Sequence, residues 1–294
     1  VQTVKGFTDR FRIDIRVEQE VIAVDRVRKQ VEVRNLATGE VYIETYDKLV
    51  LSPGAEPLRP KIEGIDSRKI FTLRSVPDTD AIKQYIESQR PERAVVVGGG
   101  FIGLEMAENL HHLGLRVDVV EMANQVMAPL DFSMASMVHR HLTDKGVGLY
   151  LEDGVVRFEE TAEGRVVVYL RSGRKITSDM VLLSIGVRPE VGLAQEAGLT
   201  IGTCRGIVVD EYMQTSDPDI YALGDAVEVM HRVTGKPALI PLAGPANKQG
   251  RIVADNLVLG NKRKYRGSIG TSVAKVFDLT VATAGANAKL LRAN

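Results

Sequence analysis

The sequence has one cysteine, Cys204, no tryptophan, and only 5% aromatic residues. A single cysteine excludes an internal disulfide framework and is typical of a reducing compartment, so we expect a cytoplasmic protein. Long apolar runs are also missing, and none approaches the roughly 18 residues that a membrane span needs. Lysine plus arginine equals aspartate plus glutamate, 38 each, so no excess positive charge favours nucleic acid or an anionic membrane.

A repeated phrase is the first positive feature of the chain. The pattern Asp-x-x-x-Leu-Ser-x-Gly-x-x-Pro begins at Asp47 and begins again at Asp179. Each copy ends an apolar strand with a glycine turn and a proline, and each follows a run of short β-strands. Two copies so far apart in a chain of 294 residues predict two duplicated domains.

Residues 98–103, Gly-Gly-Gly-Phe-Ile-Gly, form a glycine-rich loop between a predicted strand, 94–98, and a predicted helix, 101–113. A second strand over 116–120 completes a βαβ unit of about 30 residues. In that setting the G-x-G-x-x-G pattern predicts a dinucleotide site, because glycines let backbone N–H groups approach a pyrophosphate at the helix N-terminus. The glycines of the pattern are Gly98, Gly100 and Gly103.

Glu121 ends the second strand of this unit, at the distance from Gly98 that is typical of a ribose-binding acid, about 20 residues. A carboxylate at this point can accept both ribose hydroxyls of an adenosine and would repel a 2′-phosphate. No lysine or arginine occurs from 117 to 139 to bind such a phosphate, so the sequence predicts NADH rather than NADPH. The alternative is an acid at a strand end with no cofactor role.

Only the second copy of the repeat has a glycine loop upstream. The stretch from Gly98 to Asp179 is longer than the whole part of the chain that precedes Asp47. The same layout would therefore place the first loop before residue 1. We therefore expect a two-nucleotide enzyme whose first glycine loop is not in this sequence.

Three further residues have both a structural and a functional interpretation. Asp225, after a strand and a glycine, is either a helix cap or a ligand for a cofactor hydroxyl. Glu105 either favours the helix dipole or is held near a reacting centre. Cys204 has no second cysteine to pair with, so we expect it to be structural or simply exposed. The five histidines lack the spacing of metal ligands, and no metal site is predicted.

Short β-branched segments predict the remaining strands near the N-terminus, over 11–16, 20–25, 30–35, 41–46 and 48–52. A helix is predicted over 77–89, with Asp78 or Thr79 as its cap. Residues 271–277 and 279–283 predict two strands of a further domain.

Several separated motifs resemble the FAD-dependent pyridine nucleotide–disulfide oxidoreductases. Residues 95–105 resemble the NAD fingerprint of that family, 215–225 its second FAD motif, and 49–54 the strand and turn that close its FAD domain. Residues 241–250, together with 275–278, are similar to the branch that contains coenzyme A-disulfide reductases, NADH-dependent persulfide reductases and NADH oxidases or peroxidases.

The resemblance implies an α/β fold of two related Rossmann-like domains that bind FAD and NAD(P), each a three-layer structure of parallel sheet plus β-meander, the first incomplete. It implies a partial FAD domain over 1–89 and 211–266, an NAD domain over 90–210, and the start of a C-terminal dimerisation domain over 267–294. Full-length members form homodimers through that last domain, so a homodimer is expected.

The resemblance also implies the roles of individual residues. Phe101 would be an aromatic gate that moves aside for nicotinamide, and Glu105 would lie near the flavin–nicotinamide contact. The redox cysteine is expected outside this chain. The implied NAD contacts are Gly98, Gly100, Phe101, Ile102, Gly103, Glu121 and Gly186. The implied FAD contacts are Ser52, Pro53, Gly54, Gly224, Asp225, Leu242 and Ala243.

The implied activity is transfer of a hydride from NADH to FAD, and of electrons onward to a cysteine and a coenzyme A disulfide or persulfide. Two alternatives stay open: an oxidase or peroxidase of the same family, and a catalytically inert NAD-binding fragment. The chain alone is expected to be inactive.

Overall fold

The computed structural model describes residues 3–293. Residues 1–2, at the start of the predicted FAD domain, and residue 294, at the end of the predicted dimerisation domain, lie outside the described residues. The helices are α1 (Val4–Phe11), α2 (Val76–Gln89), α3 (Phe101–His112), α4 (Phe132–Asp144), α5 (Gly192–Glu196), α6 (Ala243–Leu259) and α7 (Ala288–Ala293). Within residues 3–293, none of them has the length and apolar character needed to cross a membrane.

The strands are β1 (Gln19–Asp25), β2 (Gln30–Asn35), β3 (Val41–Thr45), β4 (Leu49–Leu51), β5 (Ala55–Pro57), β6 (Ile70–Phe71), β7 (Arg93–Val97), β8 (Arg116–Val120), β9 (Gly148–Tyr150), β10 (Val155–Glu160), β11 (Val166–Leu170), β12 (Lys175–Ser178), β13 (Met180–Leu183), β14 (Val187–Pro189), β15 (Ile207–Val208), β16 (Ile220–Ala222), β17 (Val227–His231), β18 (Lys236–Leu239), β19 (Ser272–Val276) and β20 (Leu279–Thr283).

The described chain divides into two compact units. Unit 1 contains the residues up to Pro53, 190–229 and 243–266, and unit 2 contains 54–189, 230–242 and the residues from 267 onward.

Unit 2 is built on a parallel sheet in the order β6-β13-β7-β8-β9. Successive side chains of its strands point to opposite faces. Val96 and Leu182 pack into the cluster on the helical side, whereas their neighbours Val95 and Leu183 pack against the meander β10-β11-β12. Each fully buried Val or Leu contributes about 1.5–3 kcal/mol, so two apolar faces hold the sheet between helices and meander as three layers.

The helices of unit 2 follow from apolar residues at helical spacing. Helix α3 buries Leu104, Ala107 and Leu110, and α4 buries Ala135, Val138 and Leu142. The start of α2 differs slightly from the prediction. Its N-cap is Ser75 rather than Asp78 or Thr79, and the Asp78 carboxylate accepts from the Ser75 N–H at 2.8 Å in a capping box.

Unit 1 contains the matching elements of the repeat. Its meander β1-β2-β3 is antiparallel, and β4 pairs in parallel with β16. Strand β15 pairs in parallel with the first residues of β17. Because both copies of the repeated phrase follow a three-stranded meander and end a strand with a parallel neighbour, the predicted pair of related Rossmann-like folds is confirmed.

The strand predicted over 11–16 is wrong. Helix α1 occupies the first part of the segment, where Thr3 Oγ1 caps the Gly6 N–H at 3.1 Å. The helix ends at Arg12, which has a left-handed φ of 54°. Residues 12–16 are irregular because no strand of the described chain pairs with them, and strand periodicity alone does not form a ladder.

The compact units do not follow the predicted boundaries. Residues 54–89 lie in unit 2 because β6 joins its sheet, and 190–210 lie in unit 1, where α5 packs on β1. Residues from 267 also belong to unit 2, where the Phe277 N–H donates to Glu108 Oε2 at 2.8 Å. The division into flavin, nicotinamide and dimerisation domains stays a prediction, since packing does not report which cofactor is bound.

Candidate functional site

A cavity of about 580 Å³ lies in unit 2 where the parallel strands β7, β8 and β13 end. Many of its lining residues lie at or just after the ends of these strands, at 97–100, 120–123 and 183–186, and residues 153–155 at the start of the meander also line it. Ligands of open α/β sheets bind at the carboxyl ends of the strands, and this volume is typical of a small-molecule pocket.

The glycine loop is shaped by close backbone contacts. Gly98 has a φ of 110°, and a Cβ on it would collide with the carbonyl oxygen of Ser184. A Cβ on Gly103 would collide with the carbonyl oxygen of Gly98. Gly100 differs, because no heavy atom lies within 4 Å of its Cβ position and the residue faces the cavity. Two glycines therefore permit the turn, and Gly100 leaves open space for a ligand.

Helix α3 begins at this loop with Gly100 as N-cap and no side-chain cap. The N–H groups of a first helical turn lack intrahelical partners, and the helix dipole gives them partial positive charge. The N-terminus of α3 at Gly100 thus adjoins open space in the cavity, which fits the pyrophosphate of a dinucleotide.

Glu121 lies at the cavity and is held by two backbone amides. Its Oε2 accepts from the Gly99 N–H at 2.7 Å, and its Oε1 accepts from the Ala123 N–H at 2.8 Å. These charge-assisted bonds fix the carboxylate, while each oxygen keeps lone pairs for a further donor. The geometry fits a carboxylate that accepts from ribose hydroxyls.

The other predicted NAD residues divide into two groups. Gly186 lines the cavity with Gly98, Gly100 and Glu121. The residues on the first turns of α3 lie outside the cavity lining: Phe101 is half-buried, Gly103 is buried, and Ile102 and Glu105 are exposed. The structure therefore does not bring the two predicted catalytic residues, Phe101 and Glu105, to the cavity.

Several lining residues were missed by the sequence analysis, and they include the polar residues Ser184, Asp153 and Arg171. Ser184 lines the cavity and donates from its Oγ to the Val97 carbonyl at 3.1 Å, and its place in the repeated phrase was an available signal. Asp153 and Arg171 come from the meander region. They lie outside residues 117–139, the stretch on which the prediction of NADH over NADPH was based.

The segment after β8 is hydrogen-bonded both to the glycine loop and to His139 of α4. The Met127 N–H donates to the Gly99 carbonyl at 2.8 Å, and the Val126 N–H donates to His139 Nε2 at 3.2 Å. Burial lowers the pKa of His139, which favours the neutral ring that can accept this bond. His139 thus holds a cavity wall from the side of α4.

The predicted FAD residues belong to both units. Ser52, Pro53, Gly224, Asp225 and Ala243 lie in unit 1, and Gly54 and Leu242 lie in unit 2.

Gly224–Ala226 form a 3-10 turn whose Gly224 N–H donates to Gln249 Oε1 at 2.8 Å. Burial raises the pKa of Asp225, and within the described chain its carboxylate has no side-chain hydrogen bond or ion pair. A half-buried carboxylate without a protein partner fits a cofactor hydroxyl.

No group of three or more His, Cys, Asp or Glu side chains among residues 3–293 is placed to hold a metal ion.

Comparison with known proteins decides the family. The family model described as pyridine nucleotide-disulphide oxidoreductase matches residues 4–250. The chain belongs to this family. The family uses FAD and NAD(P)H and consists of oxidoreductases, in agreement with the sequence analysis.

Two curated relatives match almost the whole chain. An NADH oxidase of Methanocaldococcus jannaschii is 37% identical over 289 residues, covering 98% of the chain and 63% of the relative. An NAD(P)H sulfur oxidoreductase (CoA-dependent) of Pyrococcus abyssi is 35% identical over 280 residues, covering 95% of the chain and 61% of the relative.

A solved structure of reduced Bacillus anthracis CoADR-RHD superimposes with a TM-score of 0.96 and 52% identity, covering 100% of the chain and 52% of that protein. The chain therefore spans less than two thirds of the length of these relatives.

Proposed function

We propose that the protein to which this chain belongs transfers a hydride from NADH to FAD and electrons onward to a cysteine and a sulfur substrate. The substrate would be a coenzyme A disulfide or a persulfide. With a disulfide, NADH loses two electrons, one S–S bond breaks, and two thiols form. FAD would supply the redox chemistry, and the protein would position the nicotinamide.

The single observation that carries the nicotinamide half of this proposal is the cavity of unit 2. Gly98, Gly100 and Glu121 meet there at the N-terminus of α3. The first-turn amides would bind the pyrophosphate, and the Glu121 carboxylate would accept from the adenosine ribose.

The FAD half rests on the resemblance of residues 215–225 and on Asp225. Its half-buried carboxylate would accept a hydrogen bond from the ribityl chain. Leu242 and Ala243 would lie against the flavin ring, and Ser52, Pro53 and Gly54 would border the same cofactor. Phe101 would gate the nicotinamide and Glu105 would lie near its contact with the flavin. No electron-transfer role is proposed for Cys204.

NADH is the proposed preferred reductant because Glu121 would repel a 2′-phosphate. A fluorescence titration of the chain with NADH and NADPH tests this. Tighter binding of NADH supports the role of Glu121, and equal affinity for the two would contradict it.

The sulfur substrate is supported by the motifs at 241–250 and 275–278 and by the name of the Pyrococcus abyssi relative. A second acceptor, oxygen or peroxide, is favoured by the Methanocaldococcus jannaschii relative, named an NADH oxidase. Stopped-flow reoxidation of the reduced full-length protein, with coenzyme A disulfide or persulfide in one arm and oxygen or peroxide in the other, separates the two. Faster reoxidation by the sulfur compound supports the proposal, and faster reoxidation by oxygen or peroxide replaces it.

The chain alone is proposed to bind NADH but not FAD, and therefore to lack enzymatic activity, because residues 98–103 are its only glycine loop of this pattern. An absorption spectrum of the purified chain tests this directly. A colourless protein is expected, and a yellow protein with flavin bands would contradict the proposal.

A cytoplasmic location is inferred from the single cysteine, and a homodimer of the full-length protein from the family resemblance. Light scattering of the full-length protein tests the second statement, which a monomer would contradict.

A further inference from the structure

We propose that Arg171 is a specificity-determining residue that binds the 2′-phosphate of NADPH, so that the cavity accepts NADPH as a weaker second reductant. This inference rests on the proposed function of the cavity. It concerns a residue that lies far from Glu121 in the sequence and that the fold brings to the same cavity.

The position of Arg171 is set by a backbone contact. Its N–H donates to the Gly154 carbonyl at 2.8 Å. Its Nη2 atom lies 3.7 Å from the position that a Cβ on Gly154 would occupy, and the Met122 Cγ lies 3.6 Å from that same position. The guanidinium and the residue that follows Glu121 are therefore neighbours across Gly154.

The segment just before Gly154 is tied to the end of β8. The Asp153 N–H donates to the Glu121 carbonyl at 3.2 Å, and the Glu152 N–H donates to the Ala123 carbonyl at 2.9 Å. Together with the Gly154–Arg171 bond, these contacts hold the turn after β11 close to the backbone at the end of β8, and both Arg171 and Glu121 line the cavity. The approach of Arg171 is thus built into the fold.

Charge distinguishes Arg171 from the other ionisable residues in the cavity lining. Asp153 accepts from the Ser172 N–H at 3.0 Å and from its Oγ at 2.5 Å, so both of its oxygens have partners. The Glu121 carboxylate accepts hydrogen bonds from two backbone amides. Arg171 is exposed, and within residues 3–293 its side chain has no ion pair or hydrogen bond.

A phosphate dianion is the ligand that suits such a group. A guanidinium donates in a planar fork that matches phosphate oxygens, and it stays charged at all relevant pH values. A ribose held by Glu121 would carry its 2′-substituent at the carboxylate, where a phosphate is repelled unless a cation is near. Arg171 supplies that cation, so NADPH binds, although more weakly than NADH.

The test is isothermal titration of the wild-type chain and the variant Arg171→Gln with NADH, NADPH, 5′-AMP and 2′,5′-ADP. The two adenosine fragments report on the 2′-phosphate without any redox step. We expect Arg171→Gln to weaken NADPH and 2′,5′-ADP binding roughly 10- to 150-fold, the range of one charge-assisted contact, and to leave NADH and 5′-AMP within about twofold.

Two further variants act as controls. Arg174→Gln removes the same charge from the same exposed turn, but Arg174 does not line the cavity, so no change in either affinity is expected. Arg171→Lys keeps the charge but lacks the planar fork, so it is expected to bind NADPH more weakly than the wild type and more tightly than Arg171→Gln. Circular dichroism confirms that each variant is folded.

Several outcomes would overturn the proposal. Unchanged NADPH binding in Arg171→Gln, equal weakening of NADH and NADPH, or an equal effect of Arg174→Gln each removes the specific role of Arg171 and leaves the proposed NADH site intact. A wild-type chain that binds NADH but not NADPH would also remove the specific role of Arg171 and leave the proposed NADH site intact. If the wild-type chain binds no dinucleotide at all, the proposed function itself fails.

Discussion

Arg188 Nε lies 2.6 Å from Glu56 Oε1, and this ion pair joins equivalent positions of the two repeated phrases. Strand β14 pairs antiparallel with β5, with Arg188 directly opposite Glu56. The two positions are equivalent because each directly precedes the proline that ends its phrase, Pro57 in the first copy and Pro189 in the second. These prolines lie one residue to either side of the pair. The ends of the two phrases therefore pair antiparallel within unit 2.

The Arg188–Glu56 ion pair is expected to contribute little to stability. The Arg188 side chain is 64% exposed and that of Glu56 31% exposed, so solvent screens the attraction. A double-mutant cycle with Arg188→Gln and Glu56→Gln should give a coupling of about 0.2–1 kcal/mol in urea unfolding. A coupling of several kcal/mol would show that the pair anchors the strand pairing.

Gly103→Ala should destabilise the chain. Its Cβ would collide with the Gly98 carbonyl oxygen and would lie 2.7 Å from Ser184 Oγ, so the glycine loop must shift. Overpacking of this kind costs about 1–3 kcal/mol, to be measured by urea unfolding.

Gly100→Ala is the matched control. No atom lies within 4 Å of its Cβ position, and its φ of −79° suits alanine. Stability should change by no more than about 1 kcal/mol, the cost of a weaker N-cap. Dinucleotide affinity should fall, because Gly100 lines the cavity. Equal destabilisation by both variants would contradict the assigned loop geometry.

Glu121→Gln should weaken NADH binding about tenfold and also lower stability. A glutamine has one acceptor oxygen, so one of the Gly99 and Ala123 amides loses its partner, at a cost of about 1–3 kcal/mol. Fluorescence titration and urea unfolding measure the two effects. Glu152→Gln, an exposed acid outside the cavity lining, removes the same charge and should change neither.

Acid should destabilise the wall held by His139. Burial lowers the folded pKa of His139 below its ordinary value of 6.5. The unfolded chain then binds the proton more readily. The stabilisation is fully present above pH 6.5 and is lost as the pH falls through the lowered folded pKa.

The urea concentration at the unfolding midpoint of the wild type should therefore decrease when the pH is lowered below about 6.5. Val126 should lose its acceptor as the ring is protonated. His139→Gln removes the titrating group, so this part of the pH dependence should disappear. An unchanged pH profile in that variant would contradict the assignment to His139.

The local elements of the nucleotide loop were predictable from the sequence. The helix predicted over 101–113 is Phe101–His112, and the strand predicted over 116–120 is Arg116–Val120. Glycine spacing, apolar periodicity and the acid at position 121 are features of a short stretch, and short-range sterics decide them. The strand predicted over 11–16 was wrong because a strand also needs a partner strand, which lies elsewhere in the chain.

By itself, the amino-acid sequence determined the family, the duplication and the backbone of the glycine loop, since each depends on residues that are neighbours in the chain. Only the tertiary structure decided which charged residues line the cavity together with Glu121. Arg171 reaches the cavity because Glu152 and Asp153 donate to the end of β8, and the adjacent Gly154 carbonyl accepts from the Arg171 N–H in the turn after β11. The same structure left Phe101 and Glu105 outside the cavity lining. Such contacts depend on the pairing of strands that are distant in the sequence. That pairing is determined by the burial of apolar side chains on both faces of the sheet at once.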